Sequence, residues 1–145
     1  MRIIPAQRCV IVGVDGSPNS LAALHRAADE ARRRCARLDV IHVADERGGW
    51  IFAAARVVAW LRLRRLVAQE LPRTQHITTR LRIAYGSPAG VLIRAADRAE
   101  LLVIGARGDA PHGSLLGGDT VPRVLAASPC EVVVCADQAH RELEA

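Results

Sequence analysis

The residues best placed to do chemistry lie in the stretch GARGDAPHGSLLGGDT, from Gly105 to Thr120. Gly105 and Gly108 lack side chains that would keep a ligand from the backbone, and Arg107 between them brings a positive charge. Gly118 stands just before a predicted helix, whose unpaired N–H groups attract phosphate. The chemistry on offer is therefore the cradling of an anion by main-chain donors. All 20 basic residues are arginine, which excludes a P-loop lysine and any Schiff-base mechanism. No G-x-G or G-x-S-x-G occurs, so the dinucleotide fingerprint and the nucleophile elbow are missing too. His25, His42, His76, His112 and His140 are dispersed without metal-binding spacing. His42 reads as a satisfied core residue and His112 as a solvent-facing one within the glycine-rich stretch.

Short apolar runs alternating with helical patterns must position this stretch. The runs are Cys9 to Val14, Leu38 to Val43, an alternating segment from Thr78 to Ala84, Leu101 to Gly105, and Glu131 to Cys135. Helical periodicity fills the gaps. One stretch opens at Pro18 and Asn19, a second runs from Ile51 to Leu71, a third starts at Gly86-Ser87-Pro88, and a short fourth spans Thr120 to Ala127. In the Thr78 to Ala84 run, Leu81 and Ile83 share one face and Arg80 and Arg82 the other, as in a strand near a sheet edge. The order β-α-β-α-β-α-β-loop-α-β predicts one α/β domain, residues 1–145, built on a five-stranded, mostly parallel sheet with helices on both faces. Its ordered core is expected over residues 8–137, with a polar tail at 138–145. Ligands of such sheets bind beyond the carboxyl ends of the strands, where the strand order reverses. The loops after the first and fourth runs are therefore the candidate site.

The G-x2-G-x9-G spacing of Gly105, Gly108 and Gly118 resembles the ATP-binding motif of universal stress proteins. The resemblance spans nearly the whole chain. The run VIVGVDGSP, which carries Gly13 and Asp15, looks like that family's first strand and turn, and Ile41 to Val43 looks like the end of its second strand. Gly86-Ser-Pro-Ala, LVIGARG and SPCEVVV are similar to further family segments in the same order. The likeness implies a Rossmann-like, adenine nucleotide alpha hydrolase-like fold in which Gly13, Asp15 and Val43 lie by the adenosine. It implies that Gly105, Arg107, Gly108, Gly118, Asp119 and Thr120 surround the phosphates. Asp15 also reads as a turn residue capping the first helix, and Val43 as core.

Asp119 departs from the family pattern, which has Ser or Thr there. An ionised carboxylate donates no hydrogen bond to phosphate. Like charges 4 Å apart repel by ~1 kcal/mol in water and ~4 kcal/mol at an effective dielectric of 20. Thr120 taking the role by a small shift, Asp119 reaching the phosphates through nucleotide-bound Mg²⁺, and a weakened site all remain open at this stage.

The function implied is ATP or related adenine-nucleotide binding by a stress-responsive regulatory protein, not an enzyme, with no metal of its own. The alternative is a nucleotide-free interaction module of the same fold. A net charge of +5 is spread along helix faces without an aromatic platform, so neither nucleic acid nor membrane is an expected partner. Cys9, Cys35, Cys130 and Cys135 lack disulfide or zinc spacing and read as buried free thiols. The N-terminus has no long apolar segment, pointing to a cytoplasmic protein. The apolar final run, expected at an open sheet edge, points with the resemblance to a homodimer through that strand.

Overall fold

The computed structural model describes residues 8–44, 52–71, 77–106 and 120–136. Nine elements follow one another: β1 (Cys9–Gly13), α1 (Pro18–Arg33), β2 (Arg37–Ala44), α2 (Phe52–Glu70), β3 (Thr79–Tyr85), α3 (Pro88–Ala96), β4 (Leu101–Gly105), α4 (Thr120–Ala127) and β5 (Glu131–Cys135). The strands form one sheet in the order β3-β2-β1-β4-β5, and every pairing is parallel. Strand order reverses between β1 and β4. Both expected edge strands, β3 and β5, lie at the edges.

Strand alternation divides the sheet into two faces. Val10, Val12, Leu38, Val40, Leu101 and Val103 pack under α1 and α2, with Ala23, Leu24, Ala27, Ala28 and Ala31 forming the α1 stripe. Ile11, Ile41, Val43, Leu102 and Ile104 point the other way, towards Leu92 of α3 and Val124 of α4. The central strands β1 and β4 are buried throughout, which is why they read as unbroken apolar runs. α2 contributes Leu63, Val67 and the following Leu71 to the core, whereas Val57, Val58, Trp60 and Leu61 in its amino-terminal half are exposed.

Helix starts follow local chemistry. Ser17 caps α1 by accepting from the Ser20 N–H, with Pro18 in the first turn. Ser87 and Pro88 do the same for α3, where the cap accepts from the Gly90 N–H. Arg123 of α4 donates to the same Ser87 hydroxyl at 3.4 Å, joining the two helices that cover this face. Of the four free thiols only Cys9 is buried; Cys35 is exposed, and Cys130 and Cys135 are half-buried. The expectation of burial fails because Cys35 follows the end of α1 and the other two belong to the edge around β5.

A charged cluster fastens the far end of α1. Glu30, whose side chain is 10% exposed, accepts from Arg26 at 3.2 Å and Arg34 at 3.1 Å. Arg34 also donates to Glu100 at 3.2 Å, just before β4. The Arg34 hydrogen bond holds the Glu30 carboxyl below its usual range against the opposing effect of burial, with Arg26 and Arg33 assisting. Because the folded value is depressed, Glu30 contributes its stability fully above the unfolded value of about 4.3. That contribution is lost as pH falls through the folded value. Glu30→Gln is therefore expected to cost about 1–2 kcal/mol at neutral pH. In urea titrations, the gap between the two proteins should close as the pH drops below 4.

Candidate functional site

The carboxyl ends of β1, β2 and β4 meet where the strand order reverses, and the turn after β1 is held by its own side chains. The Asp15 Oδ1 accepts from the Ser17 N–H at 2.9 Å, while the Asp15 N–H points to Ser20 Oγ at 3.3 Å. Between them Gly16 has φ +86°, a left-handed conformation that a side chain would strain. Ser17 is the helix cap, and Asp15 braces the turn that presents it. The Oδ1 contact accounts for the turn role expected of Asp15.

Gly105 ends β4 against the first turn of α1. A Cβ placed there would lie 2.7 Å from the Asn19 carbonyl carbon and 2.8 Å from the Ser20 nitrogen, contacts with backbone that cannot swing aside. The next residue is fixed from two directions. The Ala106 carbonyl accepts from buried Asn19 Nδ2 at 2.8 Å, and its N–H donates to the Cys135 carbonyl of β5 at 2.6 Å. The glycine-rich stretch therefore leaves the sheet from a fixed point beside the Asp15 turn. Its far end enters α4 at Thr120, which is 4% exposed.

Gly13 and Val43 complete the described part. Gly13 is the buried last residue of β1 and pairs with Ile41. Val43, near the end of β2, packs its side chain into the α3 face of the core, so only its backbone is available for an adenine. Arg107, Gly108, Gly118 and Asp119 lie outside the described residues. Asp15, Gly13, Val43, Gly105 and Thr120 all fall at the carboxyl side of the sheet.

Asn19, His42 and Arg62 also belong to this region. Asn19 had read only as part of a helix start, and its buried amide bond to residue 106 spans a sequence separation no local pattern reveals. His42 Nδ1 lies 2.8 Å from the Val14 carbonyl and donates to it, so the histidine is satisfied as expected. It also borders a cavity of about 340 Å³ with Asp15, Gly16 and Arg62 of α2. That volume lies within the usual range for small-ligand clefts, about 300–1,000 Å³. Among the described residues no group of three His, Cys, Asp or Glu side chains could hold a metal. No helix there is long and apolar enough to cross a membrane.

The sequence profile of the universal stress protein family matches residues 8–136. The chain belongs to that family. A universal stress protein of Thermus aquaticus is 30% identical over 133 residues, covering 88% of this chain and 97% of its own length. This universal stress protein chain spans about half the length of its mycobacterial relatives. It covers 46% of one from Mycobacterium tuberculosis, at 31% identity over 135 residues and 90% of this chain. Among solved structures, the universal stress protein UspA of Lactobacillus plantarum superposes with a TM-score of 0.70 at 26% identity, covering 90% of this chain and 99% of that one. A universal stress protein solved in complex with cAMP superposes at 0.63, with 28% identity and coverage of 90% and 98%.

The close approach at Gly105 is open to direct test. Gly105→Ala is expected to destabilise the protein by about 2 kcal/mol, as overpacking against backbone does. Asn19→Ala should cost about 1 kcal/mol through loss of its amide bond to the Ala106 carbonyl. Chemical denaturation of both variants measures the order of the two effects.

Proposed function

We propose that this universal stress protein binds an adenine nucleotide at the carboxyl ends of β1, β2 and β4. ATP is the ligand, and its bound state is a regulatory output of the stress response in the cytoplasm. The observation that carries this reading is the pinned residue Ala106. It launches the three-glycine frame beside the Asp15 turn, at the order reversal where open α/β sheets bind nucleotides. The solved relative complexed with cAMP supports the same ligand class.

In this reading Asp15 accepts from the ribose or adenine, and the Val43 backbone faces the adenine. Gly105, Gly108 and Gly118 wrap the phosphates, with Arg107 neutralising them and Gly13 keeping the floor clear. Asp119 opposes phosphate by charge and makes affinity weak, and Mg²⁺ bound to the nucleotide relieves part of that repulsion. In this reading binding is the output and rapid hydrolysis is not. Calorimetry of ATP with the purified protein is expected to give weak binding, tightened about tenfold by Asp119→Ser, equivalent to about 1.4 kcal/mol. Unchanged affinity in the variant would overturn the charge argument. Absence of any ATP binding in both proteins would favour a nucleotide-free interaction module.

The second part of the proposal is a homodimer through β5. Its supports are an edge strand of the sequence EVVVC, and Val134 and Leu125, exposed by 39% and 56%. Val133 packs against the α1 side of the core, so a charge there endangers the fold. Val134→Lys is the cleaner variant. Light scattering should show a dimer for the parent and a monomer for Val134→Lys, and a parent that is monomeric at micromolar concentration speaks against the assembly.

A further inference from the structure

The opposite edge of the sheet has a different character. On the α3 side of β3 a groove of about 510 Å³ gathers Arg37, Arg80, Arg82, Arg94 and Arg98. Asp39 is the one carboxylate lining it, and it is already held by Arg37 at 2.8 Å and 3.3 Å. The groove therefore carries four guanidinium charges in excess. Arg80 and Arg82 form no ion pair with a carboxylate among the described residues. At its floor, burial and the neighbouring Asp39 push the Cys9 thiol up to about 11. The floor is thus an uncharged thiol and not a competing anion.

On the α2 side of the same strand a second concavity, about 530 Å³, is lined by Arg56, Val57, Trp60, Leu81 and Ile83 together with the same two arginines, Arg80 and Arg82. Val57 and Trp60 are 58% and 39% exposed, and Leu61 beside them is 51% exposed. Between the two concavities runs the outer edge of β3, with which no described segment pairs. Backbone donors and acceptors on that edge lie between an arginine-rich groove and a shelf where Val57 and Trp60 stand exposed beside Arg56.

We propose that this edge is a docking site for an extended peptide of alternating acidic and apolar residues, added to the sheet as a sixth strand beside β3. An added strand alternates its side chains across the sheet plane. One set meets Arg80 and Arg82, where carboxylates make charge-assisted pairs. The other set meets Val57 and Trp60, where apolar side chains cover the exposed half of α2. The same arginines reject a second copy of β3, because edge-to-edge pairing brings guanidinium against guanidinium. The charges that protect the edge thus also select its occupant. A nucleic acid strand would use the arginines and stack on Trp60, but it leaves the edge hydrogen bonds and the aliphatic shelf unused.

The probe is a fluorescein-labelled, end-blocked peptide Val-Glu-Val-Glu-Val-Glu-Val, titrated with the full chain and followed by anisotropy at about 50 mM salt, where charge pairing is weakly screened. Binding is expected, with slowed hydrogen exchange at the β3 amides from Thr79 to Tyr85 in the complex. The double variant Arg80→Glu/Arg82→Glu is expected to weaken binding at least tenfold. Both side chains are exposed, and circular dichroism checks that the fold is kept. Trp60→Ala tests the shelf independently, with a several-fold loss expected. The proposal is overturned if the peptide does not bind or if a Lys-for-Glu peptide binds equally well. Unchanged β3 amide exchange in the complex, or tighter binding of a thymidine oligonucleotide of matched length, also rejects it.

Discussion

The contact between the end of β4 and the start of α1 leaves no room for a single Cβ, and the rest of the site depends on that closeness. Because Gly105 has no side chain, the Asn19 and Ser20 backbone can lie against the strand, and the Asn19 amide can reach the Ala106 carbonyl. The first turn of α1 is thereby fixed over the β1–β4 junction. Ser20 in turn steadies the Asp15 loop through its hydroxyl. A glycine that sequence reasoning credits with admitting a ligand acts first to admit a helix. Helix α1 and the described start of the glycine-rich stretch, Gly105 and Ala106, thus share one anchor.

Fold was legible in the sequence because local and global signals agree in this chain. β4 and β5 end where their apolar runs end, and Arg80 and Arg82 mark β3 as an edge strand through alternation alone. α1 and α3 start at their Ser-Pro pairs, where cap and fixed proline φ coincide. What stayed hidden has a common cause, namely contact between residues distant in sequence. The Gly105–Asn19 approach joins positions 86 residues apart, a difference of 105 and 19. The arginines of the β3 groove come from β2, β3, α3 and the turn after α3. Each looked like part of a solvated face when taken one element at a time, and only the parallel register of β2 with β3 brings them together. The exposed valines of α2 were likewise unreadable, since periodicity identifies a helix without saying how much of its length the sheet supports.

Family membership gives the anchor its setting, and the chain's own composition gives it a distinct electrostatic character. With arginine as the sole permanent cation, every basic contact is a planar fork suited to carboxylate or phosphate, not a mobile point charge. Glu30 shows the intramolecular use of that geometry, drawing Arg26, Arg33 and Arg34 around one carboxylate. Arg37 and Asp39 repeat it inside the sheet face. Along β3, Arg80 and Arg82 are exposed and form no ion pair among the described residues.

That distribution makes the two edges of one sheet unlike each other. Pairing two β5 strands places valine near valine, with Glu131 at the strand start as its acidic residue. Such a contact loses little by desolvation and gains apolar burial. Pairing two β3 strands sets Arg80 and Arg82 against their copies, which costs like-charge repulsion. Among the described residues no segment pairs with the outer side of β3 or β5, so side-chain charge bears directly on what each edge can accept. By that criterion the β5 edge suits the proposed pairing with a copy of itself, and the β3 edge the proposed strand of opposite charge.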